Sequence, residues 1–220
     1  SLDLLKKEKS IVTISKRSKS PISSSYLKHI SLDLSLEENI LEDTFNSYKS
    51  ILINPKAIIY SIAQPSSNTS LINISDTDLT KSLRISVQSL HCFLSWLVKA
   101  RKEIKNLNKL NIIVLSSLSA SKISPYSSAE YSVSKSAQKS LCRYYSDYLQ
   151  KNKLGRLNLI SPSLVDTPLS QFVIGKENIS CFDPFQTNQL IDIISFMLSN
   201  ESLILSGSEI KITSNKSTNF

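Results

Sequence analysis

Asn111-Ile-Ile-Val-Leu-Ser-Ser117, Tyr131-Ser-Val-Ser-Lys135 and Arg156-Leu-Asn-Leu-Ile-Ser-Pro162 follow one another in a single segment of the chain. The first and third are apolar runs of strand length that end in serine or Ser-Pro. Between them, about Ser128 to Gln150, Tyr131, Ala137, Leu141, Tyr145 and Tyr148 recur at mostly helical spacing, which predicts one long helix. Two strands joined through a helix of this length fit a parallel sheet.

The same alternation continues outward in both directions. Upstream, residues 1–9 read as the end of a helix, Ile11–Ile14 and Leu27–Leu32 as short strands, and Leu36 to about Ile51 as a helix. Ala57–Ala63 is a further apolar strand, and Leu79, Leu83, Val87, Leu90 and Leu94 place a long helix over about Asp76–Ile104. Downstream, a loop from Leu169 to Phe182 leads to Asp183-Pro184. Pro184 suits the first turn of a helix reaching Asn200, and Ile210-Lys211-Ile212 closes the regular structure. Strands alternating with helices predict an α/β fold: a Rossmann-like, doubly wound parallel sheet with helices on both faces. No internal repeat or Gly/Ser linker divides the chain, so residues 1–220 are expected to form a single domain.

The chemistry-bearing residues lie at the ends of these elements. An isolated tyrosine titrates near about pH 10 and is a poor acid or base at neutrality. Lys135 lies one helical turn beyond Tyr131 on the same face, where its charge favours the phenolate. Ser117, leaving the C-terminal end of a strand, can hydrogen-bond a substrate oxygen that exchanges a proton with Tyr131. Strand C-termini are also where open parallel sheets bind ligands.

A strand ending in serine, a helix opening with Tyr-x-x-x-Lys, and a strand ending in Ser-Pro followed by Asp166-Thr167-Pro168 resemble the short-chain dehydrogenase/reductase family. The resemblance extends along the chain. Ile85-Ser-Val-Gln-Ser89 falls at the family's helix-Asn motif, and Ile58-Ile-Tyr-Ser-Ile-Ala63 at its Asn-Asn-Ala-Gly strand. His29-Ile-Ser-Leu-Asp33-Leu34 falls at its adenine-contacting strand end, and Leu205-Ser-Gly207-Ser-Glu-Ile-Lys-Ile212 at its last strand. The resemblance implies an oxidoreductase interconverting a carbonyl and an alcohol by hydride transfer. Tyr131 is then the general acid/base, Lys135 lowers its pKa and holds the nicotinamide ribose, and Ser117 orients the substrate oxygen. Ser86 stands where the family's Asn holds a proton-relay water. Cofactor contacts are implied for Asp33, Leu34, Ser61, Ala63, Pro162, Val165 and Thr167, besides Tyr131 and Lys135. The segment after Ile14 is Ser15-Lys16-Arg17, with no carboxylate for a ribose 2′-hydroxyl. Lys16 and Arg17 therefore point to NADP over NAD.

The chain also departs from the family. Its glycines are Gly155, Gly175 and Gly207, so the Gly-rich phosphate turn is missing from the sequence. The expectation is that a first strand and its turn precede Ser1, roughly two dozen residues completing a βαβ unit of about 30. The alternative is a non-catalytic scaffold that has lost dinucleotide binding. Gln64, Ser163 and Ser214-Asn215 also replace glycines, and at Gln64 and Ser163 unusual backbone angles or a narrowed cofactor channel are expected.

Composition excludes several classes. Cys92, Cys142 and Cys181 are far apart and form no Cys-x-x-Cys pair, and His29 and His91 do not cluster with them. No metal site is expected, and buried thiols are. The net charge of +8 comes from scattered lysines, which reads as a solvated surface; a nucleic-acid module would rest on charge alone. Apolar runs are too short to span a bilayer, and a cytoplasmic protein acting on a small carbonyl or alcohol is expected. A homodimer or homotetramer built through the two long helices is implied by the resemblance.

Overall fold

Ile11-Val-Thr-Ile-Ser15 forms β1 and Leu27–Ser31 forms β2, paired in parallel from Ile11 opposite Leu27 to Ser15 opposite Ser31. The computed structural model describes residues 10–20, 22–64, 71–102, 104–123, 127–179 and 183–213. A second parallel sheet has the order β3-β4-β5-β6, from Ile58–Tyr60, Leu110–Leu115, Gly155–Pro162 and Glu209–Ile212. The expected sheet is thus present as two hydrogen-bonded pieces, with β1 and β3 unpaired to each other.

The helices are α1 (Glu38–Ser47), α2 (Lys49–Leu52), α3 (Asp76–Leu83), α4 (Ser89–Arg101), α5 (Ala129–Lys151), α6 (Pro168–Ile174) and α7 (Thr187–Leu198). Three differ from the sequence expectation, one being α7, which begins at Thr187 and leaves Pro184 before it. The helix expected over 36–51 breaks at Tyr48, and the one over 76–104 is interrupted by a π-turn at Arg84–Gln88. The 169–182 loop also contains α6, opened by Pro168 and capped by Thr167. The helix expected over residues 1–9 lies outside the described residues.

Strand alternation builds two apolar layers. Leu110, Ile112 and Val114 of β4, with Leu157 and Leu159 of β5, join Ile30, Leu41, Phe45, Leu94 and Leu97 in the larger core. That core includes residues of both sheet pieces. Ile113 and Ile160 face the other way, onto Met197, Ile193 and Ile194 of α7. Helices therefore cover both faces, as a doubly wound fold requires. Gly155 starts β5 against β4, where a Cβ would stand 2.2 Å from the Leu110 carbonyl oxygen. Arg156, next to it, is buried and closes the C-terminal end of α7, donating to the Met197 and Ser202 carbonyls.

Candidate active site

Ser117 leaves β4 and caps a short 3-10 turn, its Oγ accepting from the Ser119 amide at 3.1 Å. Ser136 of α5 donates to Ala120 O at 2.9 Å and ties that turn to the helix. The first turn of α5 brings Tyr131 beside Ser117, near enough for the serine side chain to act on the phenol. Burial pushes the Tyr131 phenol above its ordinary value, and the Ser117 side chain opposes that rise.

Lys135 is 2% exposed. Its Nζ donates to Leu115 O at 2.9 Å, Gln138 Oε1 at 3.1 Å and Ile62 O at 3.2 Å, so one ammonium joins the ends of β3 and β4 to α5. It stands 6.0 Å from the centre of the Tyr131 ring. Loss of hydration pushes its pKa down to about 8. The sequence expectation is that Lys135 lowers the Tyr131 pKa. In this structure the phenol stays high, because desolvation dominates and the side chain that opposes it is Ser117. Ser86 is fully buried inside the π-turn with its Oγ unpartnered, while its backbone carbonyl accepts from Gln138 Nε2 at 2.7 Å. The link from Ser86 toward Lys135 is therefore made by its main chain.

The loops after the strands hold the other expected residues. Lys16 forms an ion pair with Asp33 at 2.9 Å. Hydrogen bonds from Ser35 and from Lys16 hold the Asp33 carboxyl down to about 2. Arg17 follows with an exposed side chain. Its backbone is fixed by His29 Nε2, which donates to Arg17 O at 2.8 Å, while Nδ1 pairs with Thr13 Oγ1 at 2.8 Å. Leu34 lines a cavity of about 320 Å³, shared with Leu36, Leu41, Arg84, Gln88 and Cys92. After β3, Ser61 is exposed and Ala63 half-buried. Pro162 is buried at the end of β5, Val165 bridges to Phe185, and Thr167 Oγ1 accepts from the Ser170 amide as the cap of α6.

A family model described as Enoyl-(Acyl carrier protein) reductase matches residues 5–213. The chain belongs to the short-chain dehydrogenase/reductase family. As a member it is an NAD(P)-dependent oxidoreductase with a Rossmann-like fold. Among solved structures, a 4-hydroxyisoleucine dehydrogenase mutant complexed with NADH and succinate superposes with a TM-score of 0.85 at 19% identity. That match covers 99% of this chain and 92% of the other. ElxO with NADP bound superposes at 0.80 and 17% identity, over 96% and 90% of the two chains. A 3-oxoacyl-[acyl-carrier protein] reductase from Brucella melitensis, in complex with NAD, superposes at 0.80 and 12% identity, over 94% and 87%. No curated protein matches the sequence.

Within this dehydrogenase/reductase framework some departures from the family pattern cost less than the sequence suggested. Among the described residues, positive φ outside glycine occurs at Asn106, Lys153 and Asp183. Gln64 and Ser163 thus keep ordinary φ, and Ser163 N donates to Ile212 O at 2.8 Å, as a strand-end residue does. Ser214 and Asn215 lie outside the described residues, as does Cys181. Cys92 and Cys142 are buried free thiols. Cys92 does lie with Glu38 and Glu42, their ligand-capable atoms within 4.8 Å of one another, a grouping across α1 and α4 that sequence spacing hid. Burial lifts that thiol to about 11, which leaves it protonated and a poor metal ligand at neutrality.

Two further buried polar residues lie on α5 near Tyr131. Gln138 is fully buried between Lys135 and Ser86. Glu130 is 3% exposed with both carboxylate oxygens unpartnered. Gln138 does sit on the Tyr131–Lys135 face by helical spacing, which was the available signal.

Proposed function

We propose that this chain is an NADP(H)-dependent reductase of a small carbonyl compound, with Tyr131 as the proton donor, Ser117 orienting the substrate oxygen and Lys135 supporting the charge. The observation that carries the proposal is the placing of Tyr131 beside Ser117 at the C-terminal end of β4, with the Lys135 ammonium 6.0 Å from the centre of the Tyr131 ring. When bound, the dinucleotide would supply a hydride for the carbonyl carbon. Ser117 holds the carbonyl oxygen, and Tyr131 transfers its phenolic proton to that oxygen as negative charge develops there. The phenolate left behind is stabilised by the Ser117 hydroxyl and the Lys135 charge.

The residues present fit such a cofactor at its adenosine end. Asp33 is neutralised by Lys16, and Arg17 leaves an exposed guanidinium for a 2′-phosphate. At the nicotinamide end, Ser61, Ala63, Pro162, Val165 and Thr167 are proposed to line the channel. There the ribose contact requires Lys135 to exchange one of its three chain acceptors. That requirement favours the second reading, a non-catalytic scaffold. The enzyme is proposed to act in the cytoplasm as a homodimer or homotetramer.

The deciding experiment titrates NADPH and NADH against the full-length gene product, then compares wild type with Tyr131→Phe for NADPH-dependent reduction of a carbonyl panel. Saturable NADPH binding, with turnover lost by about 10²- to 10⁴-fold in the variant, is expected. A folded protein that binds neither dinucleotide at millimolar concentration would establish the scaffold instead.

A further inference from the structure

The buried stripe of α5 is unusually polar: Glu130, Ser134, Lys135, Gln138, Cys142, Ser146 and Leu149. Most buried helix faces are apolar, because each buried polar group needs a partner. Gln138 has one on each side. Its Oε1 accepts from Lys135 Nζ at 3.1 Å, and its Nε2 donates to Ser86 O at 2.7 Å, with Gln138 and Ser86 both at 0% exposure. The acceptor lies in the π-turn, a distortion that takes carbonyls out of the regular helical ladder. The adjoining Ile85 carbonyl is likewise met by side chains, Ser89 Oγ at 2.5 Å and Tyr60 Oη at 3.1 Å.

We propose that Gln138 is a positioning residue for Lys135, its side-chain amide replacing a relay water between the ammonium and the Ser86 carbonyl. The proposal rests on Lys135 being the group that supports Tyr131. An amide here accepts one N–H of the ammonium and anchors itself to the helix opposite, so the charge is held at the end of β3 and β4. Unlike water, it neither exchanges with solvent nor passes a proton on. The titratable groups facing Lys135 are Tyr131 and Cys142, both on its own helix and both kept neutral by burial. From β4 and the segment after β3 it meets the Leu115 and Ile62 carbonyls, and from the π-turn the Ser86 carbonyl through Gln138.

The test follows the titration of Lys135 directly, by carbon NMR of protein carrying ¹³C-lysine, the signal being assigned with Lys135→Arg. Gln138→Leu removes an acceptor from the ammonium and should lower the Lys135 midpoint by about one pH unit. Gln138→Glu supplies a carboxylate and should raise it by at least as much. A folded Gln138→Leu protein with an unmoved midpoint would overturn the proposal. If that variant does not fold, an unmoved midpoint in Gln138→Glu does so. NADPH titration of the wild type runs alongside. Its failure would count against the reductase reading, while a shifted Lys135 midpoint would still stand for Gln138.

Discussion

Arg17 and Lys16 are adjacent cations with different fates. Lys16 is paired with Asp33, whereas the Arg17 side chain is exposed and its main chain held by His29. Arg17→Ala should therefore weaken NADPH binding roughly 10- to 100-fold, the worth of a charged hydrogen bond of about 1.5–3 kcal/mol, and leave NADH nearly unchanged. Lys16→Ala should cost NADPH less. Isothermal titration of both nucleotides against both variants checks this; equal losses would remove Arg17 as the discriminating residue. Lys135 makes a pH prediction. Its folded pKa of about 8 lies below the ordinary 10.5, so between these values the unfolded chain binds the extra proton. Wild type should gain stability over Lys135→Met as pH rises through that window, by on the order of 3 kcal/mol in total. The penalty is fully present below about pH 8. Urea melts of both proteins at pH 7, 8.5 and 10 would show a widening difference, and a flat one would refute the burial argument.

The β4–β5 pair carries the proposed site, because Ser117 leaves one strand and Pro162 the other. Its start depends on close approach of Gly155 to Leu110, with the proposed Cβ position 2.2 Å from a backbone oxygen. Gly155→Ala should force the strands apart and destabilise the domain by about 1–3 kcal/mol, the range for overpacking a tight interior. A denaturant midpoint that does not fall would show that the strands shift cheaply. Helix α5 runs along β5 and was legible almost to its ends, because Tyr131 to Tyr148 repeats at the helical period over many turns. The π-turn between α3 and α4 was not. Its residues, Arg84-Ile-Ser-Val-Gln88, have ordinary helical composition. The extra residue in that turn is matched to side chains elsewhere in the fold, Gln138 and Tyr60.

No helix among the described residues is long and apolar enough to cross a membrane. The largest apolar feature left uncovered on α5 is a stripe of Val133, Tyr144 and Tyr148, exposed by 47%, 77% and 40%. These positions fall on one helical face, which suits the proposed self-association through the long helices. Tyr144→Glu should place a charge in that contact and convert the oligomer to monomer at micromolar protein, read by sedimentation velocity. A wild type that already sediments as a monomer would dispose of the oligomer. The two sheet pieces share one core, with Ile30 and Leu32 packed among Tyr60, Ile112 and Leu157. Unfolding should accordingly be one cooperative transition.

Strand and helix periods, and the one-turn spacing of Tyr131 and Lys135, are local properties, and they were sufficient for the α/β alternation, the family and the naming of candidate residues. The partners of those residues were not, because they depend on which distant segments the fold brings together. Lys135 meets a carbonyl 73 positions earlier in the chain, and Gln138 one 52 positions earlier. Sequence spacing carries no information on such distances. The pairing of Lys16 with Asp33 likewise follows from the parallel register of β1 and β2, which brings the two strand ends together. Burial then sets the charge states: desolvation holds Tyr131 high and Lys135 low, and that depends on the packed interior, which only the tertiary structure supplies.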